Sequence, residues 1–166
     1  MSNLVLNKLT ALSPTTNLIT LADGDTVYSP GSVVQVVQNY VVTQSAVSIA
    51  AGYVTPTDVP DLKATITPKS ASSKIYVAVR WNGEYGTVGQ VWNSMWNLKR
   101  GSTLIGRDPT WPTDRNTGIQ TSLLNYYGAD NNSTLESAYF DYLDSPATTG
   151  TITYTACMIS DTAFTL

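Results

Sequence analysis

Apolar and polar residues alternate one by one in the most regular stretches of this chain. From Lys74 to Trp81, apolar residues fall at every second position, and the pattern returns from Thr151 to Ile159. Side chains of a β-strand point alternately to opposite faces, so this period indicates strands with one face buried. No segment shows the 3.6-residue period of an amphipathic helix. The chain is therefore predicted to be all-β.

The supply of polar residues leads to the same prediction. Charged residues make up 13% of the chain, about half of the roughly 25% that is usual in soluble domains. The sequence has 24 Thr and 16 Ser but only two Glu. Threonine is β-branched and suits a pleated, half-exposed surface, whereas glutamate is typical of exposed helices.

Turn-forming residues divide residues 32–166 into about eight predicted strands. Eight antiparallel strands bury their apolar faces most simply as two packed sheets, so we predict an antiparallel β-sandwich, jelly-roll-like in strand order. The first strand, Ser32 to Gln38, is apolar on both faces and is expected to be covered on both. The other strands are predicted near residues 46–50, 62–67, 74–81, 91–100, 119–127, 135–143 and 151–159. A turn is expected at Gly101, after which residues 103–105 could resume the strand of residues 91–100. Between them we expect a loop at Pro56 to Pro60, a type I′ turn at Asn82-Gly83 and a long loop over residues 106–118.

Residues 1–31 differ from the rest of the chain. Short apolar alternations there are interrupted by Ser13-Pro14, Asp23-Gly24-Asp25 and Ser29-Pro30-Gly31, and none is long enough to close a core. We predict an extended N-terminal arm that docks on another surface, with residues 32–166 forming the sandwich. The apolar residues expected to make the docking contacts are Leu4, Leu6, Leu18, Ile19 and Leu21.

Several kinds of chemistry lack the residues that they need. The chain has no histidine, which removes Ser-His-Asp and Cys-His catalysis and histidine-based zinc sites. Neither a GxxxxGK[ST] nor a GxGxxG phosphate-binding motif occurs. Asp23-Gly24-Asp25 lacks the spaced ligand series of a calcium loop and is predicted to be a turn. We therefore expect no enzymatic activity, no metal and no cofactor.

Charge and cysteine content limit the partners. The net charge is −3 and the nine Lys and Arg are scattered, so nucleic acid, which is bound by clustered positive charge, is not an expected partner. No window approaches the ~20 apolar residues of a membrane span. Cys157 is the single cysteine; an internal disulfide is excluded, and we expect a buried, inert thiol.

Carboxylates are the remaining catalytic option. Asp141, Asp144 and Glu84 could supply the two carboxyl groups, about 5–10 Å apart, that a glycosidase needs. However, Asp144 precedes Ser145-Pro146, and an Asp at the head of a turn usually caps its own backbone. Glu84 is expected to be a solvated loop charge. A glycan hydrolase is therefore the least favoured interpretation.

The aromatic residues offer surfaces for binding. Trp111 lies in a proline-containing loop with Arg107, Asp108 and Arg115, a combination that could contact a glycan or a protein partner. Alternatively, Trp111 folds back and closes one end of the sandwich. The other three tryptophans fall in predicted strands and are expected in the core; they are Trp81, Trp92 and Trp96.

Four blocks of the sequence, in this order, resemble a module that is widespread in bacteriophage virion proteins. The resemblance extends over residues 30–156. The blocks are residues 30–37 (PGSVVQVV), 64–75 (ATITPKSASSKI), 98–106 (LKRGSTLIG) and 142–150 (YLDSPATTG), the last followed by Thr153-Tyr154.

The resemblance implies a β-sandwich that assembles as a trimer on the outside of a phage particle, and it supplies no catalytic residues. Our first interpretation is a capsid decoration (cement) protein, a homotrimer whose arms bind across major capsid protein subunits on the outer capsid surface. The alternative is a distal domain of a tail fibre or tailspike that recognises host surface glycans through loops such as residues 106–118. In either case the protein would be made in the host cytoplasm and reside in the virion.

Overall fold

The computed structural model describes residues 31–86, 93–107, 116–122 and 135–166. The chain divides into two units, Met1–Val34 and Gln35–Leu166, and every strand described below lies in the second. Within the described residues there are nine strands and no helix, so the all-β class is confirmed. The strands are β1 (Ser48–Ile49), β2 (Gly52–Ile66), β3 (Ile75–Gly83), β4 (Met95–Arg100), β5 (Thr103–Ile105), β6 (Gln120–Thr121), β7 (Glu136–Asp144), β8 (Ile152–Ser160) and β9 (Phe164–Thr165).

The largest sheet is antiparallel and has the strand order β2-β8-β4-β5. β5 and β6 both pair with β4 and share its outer edge. Threonines link β2 to β8: the hydroxyl oxygens of Thr65 and Thr153 lie 2.8 Å apart, and those of Thr67 and Thr151, just beyond the strand ends, lie 2.9 Å apart. These cross-strand pairs give one physical reason for the abundance of threonine.

The second layer is a two-stranded ribbon of β3 and β7. All nine residues of β3 pair with β7, from Ile75 opposite Asp144 to Gly83 opposite Glu136. The predicted alternation is confirmed in both strands: Val77 and Val79 are half-buried while Ala78 is exposed, and Ala138 and Phe140 are buried. One face of the ribbon therefore points to the core and the other to solvent.

The core lies between the ribbon and the large sheet. Trp96 of β4 is fully buried, and its ring centroid lies 5.7 Å from Phe140 of β7 and 5.5 Å from Trp81 of β3. The Trp96 indole N–H donates a hydrogen bond of 3.1 Å to the hydroxyl of Tyr85. The expected core positions of Trp81 and Trp96 are thus confirmed, whereas Trp92 lies outside the described residues. Two sheets packed face to face agree with a β-sandwich; the jelly-roll strand order stays a prediction.

Two predicted turns are wrong. Residues 56–60, predicted as a loop, lie inside β2, and the pairing with β8 shifts register between Gly52 and Thr57 and again between Asp58 and Lys63. Proline is tolerated where a ladder is interrupted in this way, since its missing N–H then breaks no hydrogen bond. Asn82-Gly83, predicted as a type I′ turn, continues β3 because both residues pair with the start of β7.

The predicted first strand is also corrected. Residues 32–38 form no strand, and the valines that were expected to be covered on both faces are exposed. Of the predicted strand over residues 119–127, β6 is described, and residues 123–127 lie outside the described part of the chain.

Gly118 lies where the chain passes closely over β4. A Cβ atom at this position would lie 2.6 Å from the Trp96 carbonyl oxygen and 2.7 Å from the Met95 Cβ. We expect Gly118→Ala to lower the free energy of unfolding by about 1–3 kcal/mol, since backbone must move to admit the methyl group. Gly86→Ala, where the nearest atom would be 3.4 Å away, is the control, and urea unfolding is the measurement. Equal stability of the two variants would contradict the close approach.

Candidate interaction surfaces

Most of the residues predicted to make contacts lie outside the described part of the chain. These are Leu4, Leu6, Leu18, Ile19 and Leu21 of the arm, and Asp108, Trp111 and Arg115 of the loop. Arg107 is described: it is half-buried and follows Gly106, whose φ of +76° places it in the left-handed region. The contacts expected of this group remain predictions.

The solvent face of the β3–β7 ribbon carries large apolar side chains that sequence reasoning did not single out. Tyr76 is 60% exposed, Tyr139 56% and Leu143 54%. The register places Tyr76 opposite Leu143, and Arg80 opposite Tyr139. We call this surface the ribbon face. The sequence contained a signal for this surface, because aromatic residues at strand positions that are predicted to face solvent are typical of contact surfaces.

Hydrogen bonds hold the tyrosines of the ribbon face in place. The Tyr76 hydroxyl donates to the Asp141 Oδ2 at 2.9 Å, and it lies 3.4 Å from the Tyr139 hydroxyl. Both hydrogen bonds raise the pKa of Tyr76, and the bond to Tyr139 has the larger effect. Tyrosine rings fixed in this way present a pre-organised surface that combines apolar area with hydrogen-bonding groups.

The second candidate surface is a segment of residues 33–42, which we call the exposed segment. It contains no described strand or helix. Its apolar side chains are among the most exposed in the described residues: Val33 is 79% exposed, Val36 81%, Tyr40 79% and Val42 75%. The chain carries no charged residue between Asp25 and Asp58. A long, uncharged apolar segment in water is a feature of interaction sites.

Asp144 makes contacts different from those predicted. It is the last residue of β7 and is 5% exposed. The Arg100 guanidinium donates to both of its carboxylate oxygens, at 3.0 and 3.1 Å, and the Tyr154 hydroxyl donates to its Oδ2 at 2.6 Å. The prediction of a turn cap is therefore wrong. Burial, followed by the bond to Asp144, raises the pKa of Tyr154.

The carboxylates considered for glycan hydrolysis lie in different surroundings. Asp141 is exposed on the ribbon face, whereas Asp144 is buried and engaged by Arg100. Glu84 is half-buried rather than freely solvated. It lies near Glu136, whose pKa is raised, chiefly by burial. The hydrogen bond from the Tyr85 N–H lowers this pKa, whereas the charge of Glu84 raises it further. Asp141 and Asp144 thus have separate structural surroundings.

The residues that the structure describes contain no group of three or more Cys, Asp or Glu residues that could hold a metal ion. The same residues include no helix that is long and apolar enough to cross a lipid bilayer.

Cys157 is fully buried in β8, as expected. Burial raises the pKa of its thiol from 9.0 to about 12, although the charge of Lys99 acts in the opposite direction. Because the thiolate is the reactive form, we expect the folded protein to resist a chromogenic disulfide reagent at pH 8 and to react stoichiometrically when unfolded. Rapid labelling of the folded protein would contradict this expectation.

Comparison with protein-family models, with curated proteins and with solved structures found no match in any of the three. The function of the chain is therefore inferred from its own residues and surfaces.

Proposed function

We propose that this chain is a structural protein of a bacteriophage virion. It forms a homotrimer and decorates the outer surface of the capsid by binding across major capsid protein subunits. The observation that carries the proposal is the exposed apolar area of two surfaces, the uncharged exposed segment and the ribbon face. Such a surface is unfavourable on an isolated subunit and favours one that is covered in an assembly.

The positions of the four phage-like sequence blocks support the proposal. The block at residues 30–37 overlaps the exposed segment. The other three fall at connections between consecutive strands: residues 64–75 join β2 to β3, residues 98–106 form the β4–β5 hairpin, and residues 142–150 lead from β7 towards β8. In the hairpin, Gly101 adopts a φ of +58° and its N–H donates to the Thr153 carbonyl oxygen at 2.8 Å. The residues of these three blocks thus coincide with places where the backbone has special requirements.

The weak charge of the chain suits a contact that depends on apolar burial. A net charge of −3 over 166 residues provides little electrostatic attraction to a partner, whereas apolar area contributes about 25 cal/mol per Å² removed from water. Binding to the capsid is therefore expected to depend weakly on salt concentration.

Locating the protein on intact phage particles tests the proposal directly. Antibody-gold labelling or cryo-electron microscopy should show copies distributed over the shell in groups of three. Light scattering of the purified protein should give three times the 17.9 kDa chain mass. Label confined to the tail would replace this proposal with the tail-fibre alternative, and a protein that is absent from particles would refute both.

Deletion of residues 2–29 tests the role of the arm. We expect the truncated protein to remain a folded trimer but to lose binding to empty capsids, since the arm residues provide the predicted docking contacts. A full-length variant with Leu4, Leu6, Leu18, Ile19 and Leu21 all changed to Ser is the matched control for chain length, and it should show the same loss. Full decoration by the truncated protein in a capsid co-sedimentation assay would contradict the arm hypothesis.

A further inference from the structure

We propose that the exposed segment of one copy pairs, as an added β-strand, with the edge of β3 opposite β7 in a second copy of this chain. The inference deepens the proposed function and rests on it, because it names the contact through which the copies associate. Each copy would give one strand and receive one. Head-to-tail contacts of this kind form a closed ring when the rotation between copies allows it.

The exposed segment has the properties of a strand that lacks its partner. It is rich in valine, which favours extended backbone. Six of its ten residues are valine: Val33, Val34, Val36, Val37, Val41 and Val42. A hydrogen bond ties it to β2: the Asn39 side-chain amide donates to the Asp61 carbonyl oxygen at 2.9 Å. An extended segment with exposed apolar side chains provides both the backbone groups and the apolar area for strand addition.

The edge of β3 has the matching properties. β3 pairs with β7 on one side along all nine of its residues, and no strand within the described ranges pairs with its other side. Nine residues of β3 extend over about 30 Å, close to the length of ten residues in the exposed segment. Arg80 is the one charged residue of β3, whereas β7 carries Glu136, Asp141 and Asp144. Edges are usually protected by charge, so β3 is the ribbon edge better suited to an uncharged strand.

The side chains agree with this pairing on both faces. A strand added to β3 would place alternate residues beside the half-buried Val77 and Val79 on the inner face, and beside Tyr76 on the ribbon face. Apolar residues occur in both sets of alternate positions of the exposed segment. One set contains Val33, Val37 and Val41, and the other contains Val34, Val36, Tyr40 and Val42.

The double variant Val36→Lys/Tyr40→Lys tests the pairing. Both side chains are about four-fifths exposed, at 81% and 79%, so the fold of the subunit should persist, as checked by circular dichroism. The control is Leu135→Lys, which places one such charge at an exposed apolar residue (85%) that lies just before β7 and outside the exposed segment. Sedimentation over micromolar concentrations should show the segment variant dissociating to 17.9 kDa subunits at concentrations at least ten-fold higher than the wild type, whereas the control should match the wild type.

Amide hydrogen exchange identifies the edge that is involved. In the wild-type assembly the amides of β3 should be protected, and in the segment variant their exchange should accelerate at least ten-fold while that of the central strand β8 stays unchanged. A segment variant that remains a trimer with unchanged β3 protection would overturn this inference alone. The same holds for a variant that remains a trimer but no longer binds capsids, because the segment would then contact the capsid protein. A wild-type protein that is monomeric at all concentrations would overturn the proposed function as well.

Discussion

Replacing Trp96 with alanine is expected to lower the free energy of unfolding by about 3–5 kcal/mol, the range found when large aromatic side chains are removed from a core. Trp96 has no exposed surface. Its ring contacts two rings of the ribbon, Phe140 of β7 and Trp81 of β3. Its indole N–H donates a hydrogen bond to the Tyr85 hydroxyl. The substitution would therefore leave a cavity where the two sheets meet and remove a buried hydrogen bond.

The size of the Trp96 effect is best judged against two other variants in urea unfolding at one fixed protein concentration, because the stability of an oligomer depends on concentration. Trp96→Phe keeps an aromatic ring in the site and should cost about half as much. Leu135→Ala removes an apolar side chain that is 85% exposed and should change stability by no more than about 0.5 kcal/mol. If Trp96→Ala were no more destabilising than Leu135→Ala, the packing of the ribbon on the large sheet would be wrong.

The strands that could be predicted from the sequence are those in which local pattern and tertiary environment agree. β3, β7 and β8 each have one face towards the core, so their alternation of apolar and polar residues follows directly from the fold. β8 departs from the pattern at its end, where Cys157 and Ile159 are buried as well as Met158. That end is covered on both faces, and its apolar run reflects this.

The errors arise where a local signal was outweighed by contacts distant in sequence. Asn82-Gly83 has the sequence of a tight turn, but its pairing with β7 extends the strand. Residues 32–38 have the sequence of a strand, but the single subunit supplies no described strand to pair with them. The prediction that both faces of residues 32–38 are covered would hold only if another copy of the chain covers them. The proposed pairing with β3 of a second copy supplies such a contact.

The ribbon face shows why the candidate surface could be predicted only in part. The alternation in β3 placed Tyr76 on the solvent side, and the same reasoning applied to β7 gives Tyr139 and Leu143. What the sequence lacks is the register, which sets Tyr76 opposite Leu143 and brings its hydroxyl within 2.9 Å of the Asp141 carboxylate. These residues are more than 60 positions apart, so no local pattern specifies their contact.

Asp144 provides the second large effect. We expect Asp144→Ala to lower the free energy of unfolding by about 3 kcal/mol, since removing one partner of a buried ion pair leaves the other charge uncompensated. The value lies at the low end of the usual range because the Arg100 side chain is 32% exposed while that of Asp144 is 7% exposed. The substitution also removes the acceptor of the buried Tyr154 hydroxyl. The loss therefore combines an unpaired charge with an unsatisfied donor.

Two other substitutions separate these contributions in the same unfolding measurement. Tyr154→Phe removes one donor and leaves the ion pair, so it should cost about 1 kcal/mol. Asp141→Ala removes a carboxylate from the exposed ribbon face and should alter subunit stability by about 0.5 kcal/mol or less. The contrary result is that Asp144→Ala costs no more than about 1 kcal/mol while Arg100→Ala leaves stability unchanged. That result would mean that Asp144 acts only as a turn cap, as its position before Ser145-Pro146 first indicated. A large loss in both variants requires the ion pair, because a cap involves only the backbone that follows Asp144 and is indifferent to Arg100 on β4.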